Sequence, residues 1–280
     1  MRARGRLARH TSRQSGFALL IVLWSMALLA LIGTRITASG RAETRLVGNL
    51  RAGAVAEAAA DGAVFEALFH VIDTSNNHWP ADGRPRALNL PQATAEVSVV
   101  DESRKITLNN SPAALLRGLL QALGVAPRDA AVLTDQIIDW RSPLPTPQPL
   151  GAKAPQYLAA HRAWGPPNRP FRGIDELALV LDMTPEILAR LRPYVSPWTL
   201  SAPSPSEADP VIAATLAAAV ANGGAPQAFA EATTLTIVAV ATTPGGGRFV
   251  RRAVVRLTGD LALTPGQPPF VVLDWRQEAG

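Results

Sequence analysis

The 280-residue chain contains no cysteine, which excludes a disulfide framework, a thiolate metal site and a cysteine nucleophile. Its four histidines, His10, His70, His78 and His161, form no HExxH pair, and no G-x-S-x-G marks a nucleophile elbow. The one glycine-rich run, Gly245-Gly246-Gly247-Arg248, follows a strand-like segment and precedes another rather than a helix, which argues against a phosphate loop. No repeat of 20 to 50 residues is present, so solenoids and propellers drop out. Charge is missing in two places: there is no acid before Phe17, and no charge of either sign from Phe17 to Ile32.

Those two gaps adjoin, and they organise the amino terminus. Ahead of Phe17 stand five arginines, Arg2, Arg4, Arg6, Arg9 and Arg13, a bias that holds this end on the cytoplasmic side of a membrane. The following sixteen uncharged residues include ten Phe, Leu, Ile or Val. Together these favour insertion by roughly 3 to 6 kcal/mol. The run reaches some 24 Å, so Gly33, Thr34 and a snorkelling Arg35 complete a crossing. Three other readings compete. A cleaved secretory signal would use Thr37-Ala38-Ser39-Gly40 as its site. A plain uncleaved anchor leaves the Gly16-Phe17 junction without a reason. A buried soluble helix is at odds with apolar residues on all faces beside an arginine flank.

The formal net charge is +5, and the five leader arginines account for the excess: beyond Gly16 there are 22 basic and 22 acidic residues. The basic pI therefore reflects a topological leader and does not imply a nucleic-acid partner.

Downstream, helical pattern continues from Thr34 to about Val71, with Ala54, Val55, Ala58, Ala59, Val64, Phe65, Leu68 and Phe69 at helical spacings. Turn formers from Asp73 to Arg86 end it in an exposed loop. Thr94–Val100 and Arg104–Asn109, joined through Asp101-Glu102-Ser103, read as a β-hairpin. Residues 111–195 are helical in character. Ser111-Pro112 reads as a cap and first turn for Ala113–Leu123, and Pro127 opens a second helix to Trp140. After a proline-laden stretch come Tyr157–Ala163, Asp175–Leu181 and Pro185–Leu191, the last capped by Thr184. A linker from Pro197 to Pro205 leads to a short helix, Pro210–Ala221. Thr233–Thr242 and Arg248–Leu257 then form a hairpin across the glycines, and Phe270–Trp275 is a last strand.

The Gly16-Phe17 junction resembles the processing signal of type IV prepilins and pseudopilins. The resemblance implies cleavage between Gly16 and Phe17 and N-methylation of Phe17. The fifth residue after the junction is Ile21, where most of these families have glutamate. The K-type minor pseudopilin of type II secretion is the member with an apolar residue there, and the run AWGPPNRPFRGIDELALVLDMTPEILARLRPYV is similar to its helical insert. The implied fold is α+β: a pilin-like long amino-terminal helix packed on an antiparallel sheet, with an inserted all-helical domain of helix-hairpin-helix or SAM-like type. On this reading residues 1–16 are a cleaved leader and 17–34 the membrane half of the helix. Residues 35–110 begin the body, 111–196 form the insert, and 197–280 supply the linker, short helix and closing strands.

The resemblance further implies a non-enzymatic inner-membrane protein, single-pass, with its bulk in the periplasm, acting at the tip of the pseudopilus. Its partners would be the I-type and J-type minor pseudopilins, the major pseudopilin, the inner-membrane assembly platform and the prepilin peptidase, with the secretin or exported substrate as further contacts. Alternatives are a minor pilin with an adhesin role and a membrane-anchored periplasmic binding protein or enzyme. The hairpin around Asp182-Met183 has neither glycine nor positive charge for phosphate, so it reads as a packing element. Calcium enters by resemblance alone. Asp73, Ser75, Asn76, Asn77 and Asp82 offer some oxygens, but Asp139-Trp140 is followed by Arg141-Ser142, and Gly151-Ala152 by Lys153, where acids are usual. No ligands are assigned.

Overall fold

The computed structural model describes residues 15–200, 203–204, 208–221, 233–258 and 268–278. Helix α1, Ser15–Ile72, is 58 residues long, about 87 Å at about 1.5 Å per residue. Its amino-terminal part is uncovered: Phe17, Trp24 and Leu29 are 69%, 72% and 67% exposed. Its carboxy-terminal part lies on a sheet through Ala56, Ala60, Ala63, Val64, Ala67 and Leu68, all buried. The stripe expected from sequence included Ala54, Ala58, Phe65 and Phe69, but these are exposed. The facing strands present Ala95, Val97, Ala239, Ala241 and Ala253, and the helix approaches that surface with its smallest side chains inward. Phenylalanine at those points would hold the helix away.

The sheet has five antiparallel strands, β1 (Arg86–Leu90), β2 (Ala93–Asp101), β3 (Thr234–Thr242), β4 (Arg248–Leu257) and β5 (Phe270–Gln277), in spatial order of the chain. Burial in β2 alternates from Ala93 to Val99, as one covered face requires. The glycine-turn hairpin forms as expected, with Thr242 opposite Arg248, and the last strand runs two residues past Trp275.

The segment expected to hairpin back on Thr94–Val100 does something else. Asp101 accepts a hydrogen bond from Ser103 N at 2.9 Å and starts a 3-10 turn, Glu102–Arg104. The chain then leaves the sheet. Asp101 pairs with Leu235 across β2 and β3, so everything between them is an insertion in one hairpin connection. Ile106–Thr107 forms a short parallel ladder with Val195–Ser196 at the neck of that insertion. Glu102 sits buried at its root, accepting from Thr236 Oγ1 and Lys105 Nζ, each at 2.8 Å. β1 was not expected from sequence; it pairs with β2 through a turn at Pro91-Gln92.

The insertion holds α2 (Ala113–Ala122), α3 (Pro127–Arg141), α4 (Ala154–Ala159), a 3-10 turn (Ile174–Leu179), α5 (Pro185–Leu191) and α6 (Pro210–Ala221). They enclose a second core that includes Leu116, Leu119, Leu133, Ile137, Trp140, Tyr157 and Leu177. Ile106 and Leu108 join this core, as do Ile212 and Leu216 of α6. Thr184 caps α5, accepting from Ile187 N at 3.3 Å. Ser111 does not cap α2. Pro112 takes that position, and Ser111 Oγ is buried without a hydrogen-bond partner among the described residues. Tyr157–Ala163 forms only in part, because α4 starts at Ala154 and stops at Ala159.

One polar tie fastens α1 to the sheet. Arg251 on β4 is 7% exposed and donates to Asp61 at 2.5 Å and Glu57 at 3.0 Å. Its guanidinium lies 4.8 Å from the Phe249 ring centroid and 5.2 Å from that of Trp275. Arg251→Met is expected to lose about 1.5 to 3 kcal/mol. The loss should be smaller in high salt, because Asp61 and Glu57 are partly exposed. Urea unfolding of Arg251→Met, Asp61→Asn and the double variant measures the coupling; additive losses would rule the tie out.

Candidate functional site: the helix terminus and the α3–α4 loop

Gly16 and Phe17 lie in the first turn of α1, and His10 and the rest of residues 1–14 fall outside the described set. Among the described residues no helix is long and apolar enough to cross a membrane. The side chains of Ser15, Gly16, Ala18, residues 35–42 and Thr44 are outside that set. Ile21, at the position where glutamate is usual, is 49% exposed.

The polar loop after α1 is an ordinary turn. Asp73 accepts from Ser75 N at 2.9 Å and Ser75 Oγ at 2.7 Å, and these bonds hold its carboxyl below the usual carboxylate range. His78 donates to Asp73 O at 3.1 Å. His70 stacks on Trp79 with ring centroids 4.4 Å apart and donates to Asn77 O. Asp82 accepts from Arg84 N and Arg86 Nη2, both at 3.0 Å. The loop therefore brings its candidate oxygens to backbone amides and arginines rather than to one point.

A cleft of about 430 Å³ separates this loop from the insertion, lined in part by Asp82, Asp101, Arg104, Lys105 and Asp209. Among the described residues each of its carboxylates is engaged: Asp82 by Arg86, Asp101 by Arg104 at 3.5 Å, and Asp209 by Val211 N at 2.9 Å. No histidine among the described residues lines it.

The most tightly built polar structure is the connection from α3 to α4. Asp135 and Asp139, one turn apart on α3, are 9% and 0% exposed. Asp135 Oδ2 accepts from Leu150 N at 3.1 Å, and Asp139 Oδ2 from Gln148 N at 3.0 Å. Gly151 packs so closely on Asp139 that a Cβ there would overlap its carboxylate. Burial raises the Asp139 carboxyl above its ordinary value, opposed by the Gln148 amide and by Lys153. Lys153 is 5% exposed. Its ammonium donates to Asp139 O at 2.6 Å, Ser142 O at 2.8 Å and Asn168 Oδ1 at 2.8 Å. Burial lowers its pKa, and the Asp139 charge opposes this. Arg141 donates to Leu108 O and to Ser111 O, and burial brings it down to about 10. The sequence shows basic residues at these positions, but nothing in it says that their heads turn inward onto carbonyls. Asn168, in the left-handed region at φ 54, carried no such signal either.

A long helix lying on an antiparallel meander, with a helical domain set into one hairpin connection, defines a pilin-like subunit of the α+β class. The chain belongs to the family of type II secretion system (T2SS) protein K, whose model matches residues 49–199. It is 26% identical over 203 residues to type II secretion system protein K of Klebsiella pneumoniae, covering 65% of this chain and 62% of that one. To the protein of the same name from Aeromonas hydrophila it is 27% identical over 209 residues, covering 65% and 63%. The chain thus matches somewhat under two thirds of the length of these curated relatives. In fold it is similar to a chain of the crystal structure of the GspK-GspI-GspJ complex from the type 2 secretion system of enterotoxigenic Escherichia coli. That match has a TM-score of 0.62 and 18% identity, covering 88% of this chain and 100% of that one. The family read from the Gly16-Phe17 junction and the helical insert is the one these matches give.

Proposed function

We propose that this chain is a minor pseudopilin that caps the tip of a type II secretion pseudopilus, a structural subunit rather than an enzyme, and takes part in assembly and protein export. The observation that carries the reading is the two-part helix α1. Its last third is fixed to the sheet through buried alanines, while the large apolar side chains from Phe17 to Ile32 are exposed among the described residues. Such a surface is stable only inside lipid or against other apolar helices. Extended by Gly33 and Thr34, this uncharged run would seat in the apolar layer of an inner membrane and leave the sheet and insertion in the periplasm. The five arginines before it set that orientation.

Cleavage between Gly16 and Phe17 and methylation of the new amino group would leave α1 attached to the mature protein. Ile21 suits a subunit with no neighbour beyond it, because a buried carboxylate without a partner amine is costly. The insertion makes that end bulky, which would stop further subunits from adding. The I-type and J-type minor pseudopilins fit as partners through α1 and the edges of the sheet, with the major pseudopilin, assembly platform and prepilin peptidase acting during export.

Intact-mass measurement of the chain expressed with and without prepilin peptidase tests the processing step. The expected product lacks residues 1–16 and carries one added methyl on Phe17. A mature protein beginning near Ser39, or one that keeps Met1 beside an active peptidase, would overturn it. Tip assembly is tested separately, by co-purification of the periplasmic portion with I-type and J-type subunits.

A further inference from the structure

The loop between α3 and α4 closes on a positive charge that the chain itself supplies. An ammonium has three N–H donors, and Lys153 places one on each of three oxygens: two main-chain carbonyls, from Asp139 and Ser142, and the side-chain carbonyl of Asn168. The three oxygens come from three segments, the end of α3, the loop after it, and the loop beyond α4. Without a central cation their dipoles would repel one another in a site from which water is excluded, since Lys153 is 5% and Asp139 0% exposed. Around this centre, amides of the same loop satisfy Asp135 and Asp139, and Gly151 is required for the loop to pass the Asp139 carboxylate.

Carbonyl oxygens converging on one buried charge are among the ligands that hard divalent ions take. Calcium, which the family resemblance implies, does not fit here. It needs about six to eight oxygens, and the carbonyls that would contribute are taken by a nitrogen that carries its own charge. Arg141 reinforces the point, since its buried guanidinium donates to the Leu108 and Ser111 carbonyls of the neighbouring strand-to-helix segment. Among the described residues no group of three or more acids or histidines gathers to hold a metal.

We propose that the Lys153 ammonium is a built-in structural cation that takes the place of a divalent metal in the helical insertion, so that the insertion keeps its shape independently of calcium. Its positive charge organises the α3–α4 loop, and its alkyl stem tethers that charge to the chain where a bound ion would exchange with the medium.

The test uses the full chain in detergent, with thermal unfolding followed by far-ultraviolet circular dichroism in excess chelator and in millimolar calcium chloride. The wild-type midpoint is expected to be the same in both. A saturable rise with calcium overturns the proposal. Lys153→Met keeps the apolar stem and removes the charge, and its midpoint should fall by at least about 5 °C in either medium. An unchanged midpoint would show that the charge holds nothing. Lys153→Glu should be destabilised in chelator and restored toward wild type by calcium but not by equal ionic strength of sodium chloride. If calcium leaves Lys153→Glu unchanged, the oxygens form an ordinary lysine anchor and not a cation site. Should a variant fail to fold, the wild-type comparison still decides the calcium independence.

Discussion

Trp140→Ala is expected to cost about 3 to 5 kcal/mol of unfolding free energy, and the loss should be confined to the insertion. Trp140 is 2% exposed. Its indole stacks on Phe171 with centroids 6.0 Å apart and lies 6.3 Å from Tyr157, so the ring joins α3 to α4 and to the loop before the 3-10 turn. Its Nε1 also donates to Glu176 Oε2 at 3.3 Å. That carboxylate is held in turn by Arg169 at 3.3 Å and by Arg172 N at 3.1 Å. Truncation therefore opens a cavity among three elements and removes one donor from a part-buried acid. The body core contains neither Trp140 nor its neighbours. Urea unfolding by circular dichroism gives the total loss. Hydrogen exchange gives its location: protection should drop across α2, α3 and α4 and persist in α1 and β2–β4. A loss below about 1.5 kcal/mol, or equal loss of protection in the sheet, would contradict two separate cores.

The division into a body and a helical insertion was legible where local signals are strong. Pro127 at a helix start, Thr184 ahead of Pro185, and three glycines between β-branched runs each act over a few residues, and each marks an element that forms. What could not be read depends on distant chain. β1, Arg-Ala-Leu-Asn-Leu, has weak strand propensity and a Pro91-Gln92 turn without an Asn-Gly signature; it forms because β2 offers an edge. The hairpin expected through Asp101-Glu102-Ser103 loses to a better partner, since β3, far later in the chain, pairs with β2 from Thr94 to Asp101. The helix stripe was misjudged because hydrophobicity favours phenylalanine, whereas the alanines of the sheet select small residues. At the amino terminus the signal is a sequence motif and needs no fold to be seen. Lys153 is the opposite case: its charge is visible in sequence, but its three oxygens come together only once the loop after α3 and the loop holding Asn168 have closed on it.

Gly247→Val should destabilise the body by about 3 kcal/mol, and the adjacent glycines show why position matters more than residue type. A Cβ on Gly247 would overlap the Ala52 carbonyl oxygen, with the Ala52 carbonyl carbon at 2.5 Å and Thr243 Oγ1 at 2.8 Å. Two of these three atoms are main chain of α1, so a rotamer change cannot relieve the contact; either the turn or the helix must move. Gly246 faces open space but has φ +81, so its requirement is conformational. Gly246→Asn should be nearly neutral, and Gly246→Val should cost about 1 to 2 kcal/mol. At Gly245 the added methyl would meet two side chains, Ala52 at 3.2 Å and Thr243 Oγ1 at 4.0 Å, and Gly245→Ala should lose less than about 1 kcal/mol. The expected order in urea unfolding is Gly247→Val, then Gly246→Val, then Gly245→Ala. If Gly246→Val proves the worst, the turn is limited by backbone geometry and not by contact with the helix. The expected order would make the β3–β4 turn a stop that fixes where α1 crosses the sheet. Because the uncovered apolar residues belong to the same helix, that stop also sets the direction in which they leave the body, and a shifted turn would present them wrongly to membrane and neighbouring subunits alike.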